Sequence, residues 1–299
     1  MPPDLPRKTA VGALVSAGLL LAPPAGAAER DAVARGAYLA TAADCVGCHT
    51  DSEHGGRPYA GGVELKTVLG TIVSPNITPD PETGIGKWRD SDFTAAMRWG
   101  IAPDGSHLLT SFPFPFYNRL TGRDLADIKA FLDTVPAVRQ FNRSGNPRLF
   151  ANALNAVAVV ATPFPGPWRP DSRREAVWNR GAYLVATVGR CGDCHTPRNL
   201  LGAPEANRFL AGTAHGPDGK PVANITSDPE TGIGNWTKDD IVVMLTDGQT
   251  PDLNYVTGAM ARVVKSTAKL SDDDRRAIAV YLKSLPPMRS DRRSLSEKD

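Results

Sequence analysis

Residues 45–49 read Cys-Val-Gly-Cys-His, and residues 191–195 read Cys-Gly-Asp-Cys-His. These two stretches contain all four cysteines of the 299-residue chain and two of its five histidines. Two thiols three positions apart can each form a thioether to one vinyl group of a porphyrin, and the adjacent histidine can then bind the iron. Each stretch therefore predicts one covalently bound haem c. The predicted haem-binding residues are Cys45, Cys48, His49, Cys191, Cys194 and His195, with His49 and His195 as proximal iron ligands.

Two other uses of the cysteines fit the sequence less well. A zinc site needs about four protein ligands, and each stretch offers only two cysteines and one histidine. A redox-active dithiol has no need of the histidine that follows each second cysteine. Because both pairs are assigned to haem, no cysteine remains for a structural disulfide or a thiol nucleophile.

The chain repeats itself around the two motifs. Arg35-Gly-Ala-Tyr precedes the first motif, Arg180-Gly-Ala-Tyr precedes the second, and an Asn-Ile-Thr segment recurs at Asn76 and Asn224. The offset is 146 residues at the cysteines and 148 at the two asparagines. Two copies at so long a period indicate tandem domains rather than a solenoid. Both Asn-Ile-Thr segments match the glycosylation pattern, but their place in a duplicated loop favours a structural role.

The hydrophobic pattern predicts helices joined by long loops. In each copy a helix leads into the cysteine pair, a loop rich in Gly, Pro and Asn follows, and a short helix covers roughly 90–99 or 237–247. Thr121 and Ser271 are predicted to cap the two closing helices, which Pro136 and Pro286 end. No segment has a convincing alternating strand pattern. The predicted fold class is all-α, with two tandem domains and long loops.

These features predict the division of the chain. Residues 29–142 form the first domain, 143–170 a linker, 171–288 the second domain and 289–299 a tail. Within the linker, an apolar stretch at 149–160 is predicted to be one helix packed between the domains, and a proline-rich connector follows it.

The first 28 residues predict export. Arg7 and Lys8 precede an apolar stretch at 10–22, and Ala25-Gly-Ala supplies small residues for signal peptidase. The stretch is shorter than the roughly 20 residues that span a bilayer. We therefore expect a signal peptide cleaved after Ala27 or Ala28 and a periplasmic mature chain. The formal net charge of +2 is too balanced to suggest nucleic-acid binding.

The far side of each haem decides between electron transfer and ligand chemistry, because a methionine there closes the site and an open position does not. In the second copy Met260, expected in a loop before the closing helix, is the predicted sixth iron ligand. The corresponding segment of the first copy has no methionine and reads Ser-Phe112-Pro-Phe-Pro-Phe. Three possibilities stay open there: ligation by His107, ligation by Met97, or an open position.

At these residues the chain resembles the diheme and multihaem class I cytochromes c that serve periplasmic dehydrogenases. It is most similar to the cytochrome c subunit of quinoprotein alcohol dehydrogenases and of flavin-dependent gluconate, sorbitol and fructose dehydrogenases. Besides the two motifs, the resemblance rests on Gly84-Ile-Gly-Lys-Trp and Tyr281-Leu-Lys-Ser-Leu-Pro-Pro, and it runs from about residue 35 to 287. It implies class I cytochrome c domains and the ligand role of Met260. Those subunits carry three haems where this chain has two motifs, and they have methionine where Phe112 stands.

The expected function is that of an exported diheme c-type cytochrome, which carries single electrons from a periplasmic dehydrogenase to a respiratory acceptor. Its partners would be redox proteins, namely a dehydrogenase subunit, an oxidase or another cytochrome, and any membrane association would occur through them. The alternative is a diheme enzyme with an open or exchangeable first haem, either peroxidase-like or sulfur-oxidising. A cysteine-ligated thiosulfate dehydrogenase fits poorly, because every cysteine is used in attachment.

Overall fold

The computed structural model describes residues 25–67, 70–109, 111–142, 146–147, 157, 164–200, 202–216 and 219–290. Over these residues the chain is mostly helical, which confirms the helical part of the predicted fold class. The helices in chain order are α1 (Ala25–Ala42), α2 (Cys45–Cys48), α3 (Asp90–Trp99), α4 (Phe114–Tyr117), α5 (Gly122–Leu132), α6 (Ala176–Tyr183), α7 (Cys191–His195), α8 (Lys238–Asp247), α9 (Gly258–Thr267) and α10 (Asp272–Lys283). A π-helical turn, Leu184–Val188, continues α6, and 3₁₀ turns lie at Ser52–His54 and Ala206–Arg208.

The expectation of a fold without strands is wrong in one place. A small antiparallel sheet joins β1 (Glu64–Thr67), β2 (Gly70–Val73) and β3 (Asn146–Pro147) in that order. In its register Glu64 pairs with Val73, and Gly70 pairs with Pro147. The strands are two to four residues long, too short for an alternating pattern to stand out. Because β3 comes from the predicted linker, its pairing depends on a contact distant in sequence.

The two copies of the sequence repeat adopt the same arrangement of helices. In the first repeat (residues 29–142) α1 packs against the closing helix α5, and in the second repeat (171–288) α6 packs against α10. Gly36 and Gly181 lie at these two crossings. A Cβ atom on Gly36 would collide with the carbonyl oxygen of Asp127, and one on Gly181 with that of Ala277. Glycine is therefore needed for the close approach of both helix pairs.

The helix caps follow the sequence prediction. The Thr121 side chain accepts a hydrogen bond from the backbone N–H of Asp124, and Ser271 accepts one from that of Asp274. Each hydroxyl satisfies one of the otherwise unpaired N–H groups of the first helical turn. Asp124 and Asp274 thus occupy the same third position of the two closing helices.

Two equivalent tyrosines connect the repeats, each through a hydrogen bond to the other repeat. The hydroxyl of Tyr38 donates to Asp274 at 2.5 Å, and the hydroxyl of the equivalent Tyr183 donates to the equivalent Asp124. Each tyrosine of one repeat therefore contacts the start of the closing helix of the other, as in the self-complementary interface of a two-fold dimer. A single cluster of buried apolar residues includes Leu39 and Ile128 of the first repeat and Ile278 of the second.

The predicted linker also packs where it is described. The backbone N–H of Gly166 donates to the Asn118 side chain at 2.8 Å, and that of Trp168 donates to the carbonyl of Arg119 at 2.8 Å. The predicted helix at 149–160 lies outside the described residues, apart from residue 157. The predicted signal segment lies outside them too, apart from 25–28, which begin α1. Across the described parts of the chain, no helix combines the length and apolar character needed to cross a bilayer.

Candidate haem-attachment sites

Each Cys-x-x-Cys-His motif follows a long helix through a left-handed residue. Asp44, with φ 53°, precedes Cys45, and Arg190, with φ 43°, precedes Cys191. This conformation costs a non-glycine residue roughly 1–2 kcal/mol, so the surrounding structure must hold it in place. The sharp turn starts a new helical turn in which both cysteines of a motif lie.

Both motif histidines are held with one ring nitrogen bonded to backbone. Nδ1 of His49 lies 2.8 Å from the carbonyl oxygen of Pro75, and Nδ1 of His195 lies 2.8 Å from that of Ala223. A carbonyl oxygen only accepts, so Nδ1 carries the proton and Nε2 keeps its lone pair. Burial lowers the pKa of both imidazoles, which favours the neutral form. A neutral histidine with a free Nε2 and a bonded Nδ1 is what metal ligation requires.

The loops that supply these carbonyls are anchored by Asn76 and Asn224, which directly follow Pro75 and Ala223. Asn76 is 3% exposed and donates to the Val138 carbonyl at 2.7 Å, while Asn224 is 2% exposed and donates to the Met288 carbonyl at 2.7 Å. Both side-chain nitrogens are therefore buried and hydrogen-bonded. The predicted structural role of the two Asn-Ile-Thr segments is confirmed.

Two glycines missed by the sequence reasoning complete the proximal side. The N–H of Gly61 donates to the His49 carbonyl at 2.8 Å, and the N–H of Gly212 donates to the His195 carbonyl at 2.7 Å. Their φ angles are 76° and 75°, and a Cβ on either would collide with the loop that carries the histidine's carbonyl partner. A repeated Ala-Gly pair, at 60–61 and 211–212, was the available signal in the sequence.

The motif cysteines are all half-buried. Burial raises the pKa of the Cys45 and Cys191 thiols to about 12. In the described part of the chain no group of three or more His, Cys, Asp or Glu side chains has an arrangement suited to a metal ion. The residues of each motif fit a haem c: two thiols on one turn and a neutral imidazole with its Nε2 free.

Met260 does not lie in a loop, as the sequence reasoning expected, but in the first turn of α9, where it is half-buried. The helix begins at Gly258, whose φ is 58°. The residues that follow are mostly helix-compatible, and they place Val264 in the core at 8% exposed.

The distal segments of the two repeats can be aligned through matching turns. Ile101 bridges His107 in the first repeat, and Gln249 bridges Tyr255 in the second, at the offset of 148 residues that also relates Asn76 to Asn224. His107 is therefore the counterpart of Tyr255, and like Tyr255 it is exposed. The same offset makes Phe112 the counterpart of Met260.

Phe112 and Met97 differ in their surroundings. Phe112 is half-buried, with its ring 5.8 Å from that of Tyr117. Met97 is 6% exposed within the core cluster, and its counterpart in the second repeat, Leu245, is 5% exposed in the same cluster. A core leucine at the equivalent position indicates that Met97 packs as a hydrophobic side chain.

The two motifs lie side by side, which the sequence did not reveal. The Arg190 side chain, next to the second motif, donates from Nε to the Tyr117 hydroxyl at 3.1 Å, and that hydroxyl donates to the Ala43 carbonyl at 3.3 Å. Asp44, beside the first motif, accepts a hydrogen bond from Ser266 of α9 at 2.6 Å. Each repeat thus contributes side chains to the neighbourhood of the first motif.

Comparison with known proteins agrees with this geometry. The sequence profile of the Cytochrome c family matches residues 33–136. A diheme c-type cytochrome of Cereibacter sphaeroides is 40% identical over 260 residues, which cover 84% of this chain and 85% of that protein. The cytochrome c subunit of the quinone-dependent alcohol dehydrogenase of Gluconobacter oxydans is 40% identical over 269 residues. That of the gluconate 2-dehydrogenase of Pantoea cypripedii is 39% identical over 264 residues.

The extent of the match differs between these relatives. The alignments cover 87% and 85% of this chain but only 56% of the alcohol dehydrogenase subunit and 59% of the gluconate dehydrogenase subunit. The chain therefore spans somewhat more than half the length of these two subunits, but most of the length of the diheme cytochrome.

Proposed function

Because this chain belongs to the cytochrome c family, we propose that it carries two covalently bound haem c groups, one at each Cys-x-x-Cys-His motif. The thioethers would form at Cys45 and Cys48 and at Cys191 and Cys194. His49 and His195 would be the proximal ligands, and Met260 would bind the second iron from the distal side. The matched Nδ1 bonds to Pro75 and Ala223 support both proximal assignments.

The proposed function is single-electron transfer from a dehydrogenase, through the two haems, to a respiratory acceptor. A bound haem supplies the one-electron chemistry, and the protein supplies ligands, burial and orientation. The observation that supports this proposal is the hydrogen-bond path from Arg190, next to the second motif, through Tyr117 to Ala43, two residues before the first motif. Relatives named as cytochrome subunits of alcohol, gluconate and fructose dehydrogenases support a dehydrogenase as the electron donor.

The proposed organisation is a signal peptide at 1–28, followed by two tandem class I cytochrome c domains at 29–142 and 171–288. Residues 143–170 would link them, and 289–299 would form a tail. The equivalent helix crossings at Gly36 and Gly181 support the tandem arrangement. On this view the mature chain is periplasmic and reaches a membrane only through its redox partners.

The haem count provides the direct test. Protein produced with a c-type maturation system should contain two haems per chain, measured by alkaline pyridine spectroscopy and by intact mass. A variant with Cys191→Ala and Cys194→Ala should retain one. A wild-type chain with fewer than two covalently bound haems contradicts the proposal, and so does a fully loaded protein that no dehydrogenase fraction reduces.

A second candidate function rests on Phe112 at the position of Met260. A phenylalanine ring cannot ligate iron, so the first haem would have an open or exchangeable distal position, suited to peroxidase-like or sulfur-oxidising chemistry. Optical and paramagnetic spectra separate the two candidates. Two low-spin, six-coordinate haems favour the carrier, whereas a high-spin first haem that binds carbon monoxide rapidly favours the enzyme.

A further inference from the structure

The residues that precede the first cysteine of each motif are structurally equivalent but carry opposite charges. Asp44 and Arg190 both adopt the left-handed conformation at the start of the motif turn. The first repeat therefore places a carboxylate at this point and the second a guanidinium. The charges near the two motifs therefore differ at this equivalent position.

The Arg190 side chain contacts Tyr117 of the first repeat as well as Asp193 of its own motif. Its side chain is 19% exposed, and its Nε donates to the hydroxyl of Tyr117, a residue 4% exposed. Tyr117 in turn donates to the carbonyl of Ala43, two residues before Cys45. A half-buried cation of the second repeat is thus linked through Tyr117 to the residue two positions before the first cysteine of the first motif.

The charge of Arg190 is only partly compensated by its neighbours. The Asp193 carboxylate is 3.7 Å from Nη1 of Arg190 but forms a closer pair, at 2.5 Å, with Arg198. The Asp44 carboxylate bonds to Ser266 and interacts electrostatically with both Arg190 and Arg262. Arg190 interacts electrostatically with Cys45, Cys48 and His49 of the first motif and also with Cys191 of its own.

We propose that Arg190 raises the reduction potential of the haem at the first motif relative to that of the haem at the second, and so biases the electron toward the first. This inference rests on the proposed function, because it requires a haem at each motif. Reduction adds one electron to an iron, and a fixed cation in a medium of low dielectric constant stabilises the added negative charge. The exchange is balanced: one electron leaves the second iron and one reaches the first, with no proton or co-reactant. Arg190 is a positioning residue in this process, since it acts through its field.

The test compares Arg190→Gln and Arg190→Lys in the fully loaded protein. Both haem potentials are measured by spectroelectrochemical titration, and the methionine-ligated haem is identified by its sulfur-to-iron charge-transfer band. We expect Arg190→Gln to change the electron equilibrium between the haems by about tenfold toward the second, which is about 59 mV for one electron. Arg190→Lys keeps the charge and should retain most of the difference.

The matched control is Arg173→Gln, which removes a positive charge from the same repeat at a side chain that is 87% exposed. It should leave both potentials unchanged, because water screens an exposed charge. Tyr117→Phe is a second variant, which keeps the charge but removes the hydroxyl that holds it. Tyr117→Phe should shift the electron equilibrium toward the second haem, as Arg190→Gln does, but by a smaller factor. If Arg190→Gln does not fold, Tyr117→Phe still tests the inference.

Three results would overturn the inference: equal shifts of both haems, no shift, or the same shift in the Lys and Gln variants. The last would mean that Arg190 matters for its shape and not for its charge. Each of these results leaves two haems in place, so the proposed function would survive. A wild-type chain without two covalent haems would overturn both.

Discussion

At the scale of single residues, the two repeats differ at the position proposed to face the iron from the distal side. Phe112 and Met260 occupy equivalent positions, as the matched turns at His107 and Tyr255 indicate. A thioether sulfur can bind iron and a phenyl ring cannot. On the proposed ligation, Met260 would close the second site, whereas Phe112 would supply no ligand to the first.

We expect Phe112→Met to close the first haem. The variant should gain a second sulfur-to-iron charge-transfer band and lose any carbon monoxide binding by the first haem, because the thioether would take the sixth position. The measurement is the optical spectrum of the oxidised and reduced protein, with and without carbon monoxide. Phe112→Leu, which is apolar but has no ligand atom, is the control. Identical spectra for the Met and Leu variants would show that position 112 does not face the iron.

A second prediction at this scale concerns Asn76, which anchors the loop that carries the carbonyl partner of His49. Asn76→Ala removes the bonds to Val138 and Thr78 and leaves the buried backbone N–H of Thr78 without its acceptor, at a cost of about 1–3 kcal/mol in the free energy of unfolding. Denaturant titration of the haem-loaded protein measures this loss. Asn224→Ala should cost a similar amount. The exposed Asn235 serves as control, since Asn235→Ala should change the stability by less than about 0.5 kcal/mol.

At the scale of secondary-structure elements, the helices with local signals were predictable and those set by distant contacts were not. The pattern predicted helices at 90–99 and 237–247, and the structure has Asp90–Trp99 and Lys238–Asp247. Their apolar periods and caps lie within the segments themselves. The strands Glu64–Thr67 and Gly70–Val73 pair locally but were missed because four residues are too few for an alternating pattern to stand out, whereas β3 at 146–147 depends on a distant contact.

The candidate site also combines residues with a local sequence signal and residues set by contacts distant in sequence. The two motifs and the anchoring asparagines could be recognised, because each belongs to a repeated stretch of sequence. The helix that carries Met260 was missed, because the sequence placed Met260 in a loop before the closing helix. Arg190 and Tyr117 were missed because their contact joins the two repeats, and no repeated pattern marks a position where the copies differ.

The close helix crossings at Gly181 and Gly36 should make the stability of the fold sensitive to an added methyl group there. Gly181→Ala places a methyl group against the carbonyl of Ala277 and should push α6 and α10 apart, at a cost of about 1–3 kcal/mol. Gly36→Ala should act likewise on α1 and α5. Gly122→Ala is the matched control, because no atom lies within 4 Å of its added Cβ and Gly122 begins a helix. The control should be neutral or slightly stabilising. Thermal unfolding of the loaded proteins measures all three, and equal stability of the Gly181 and Gly122 variants would contradict the close-approach argument.

At the scale of the whole molecule, the two repeats form one packed unit with an approximate two-fold relation. The Tyr38 and Tyr183 hydroxyls cross to the closing helix of the opposite repeat, and buried apolar residues of both repeats share one cluster. This interface fixes the two attachment motifs relative to each other. An electron carrier with two haems depends on such a fixed arrangement, because the electron must pass between them.

The same interface predicts how stability changes with pH. Burial raises the pKa of Asp274, but hydrogen bonds from Arg180 and Tyr38 outweigh burial and leave that pKa below its ordinary value. A carboxyl group with a lowered native pKa stabilises the fold above its unfolded pKa, near 4, and this stability is lost as the pH falls through the native value. Asparagine has no carboxyl group to protonate, so the Asp274→Asn variant lacks this pH-dependent contribution to stability. We therefore expect the melting temperature of the wild type to fall more steeply below about pH 4 than that of Asp274→Asn. Asp273→Asn, an exposed neighbour in the same helical turn, should keep the wild-type slope. If all three proteins lose stability in parallel, Asp274 does not link the repeats through its charge.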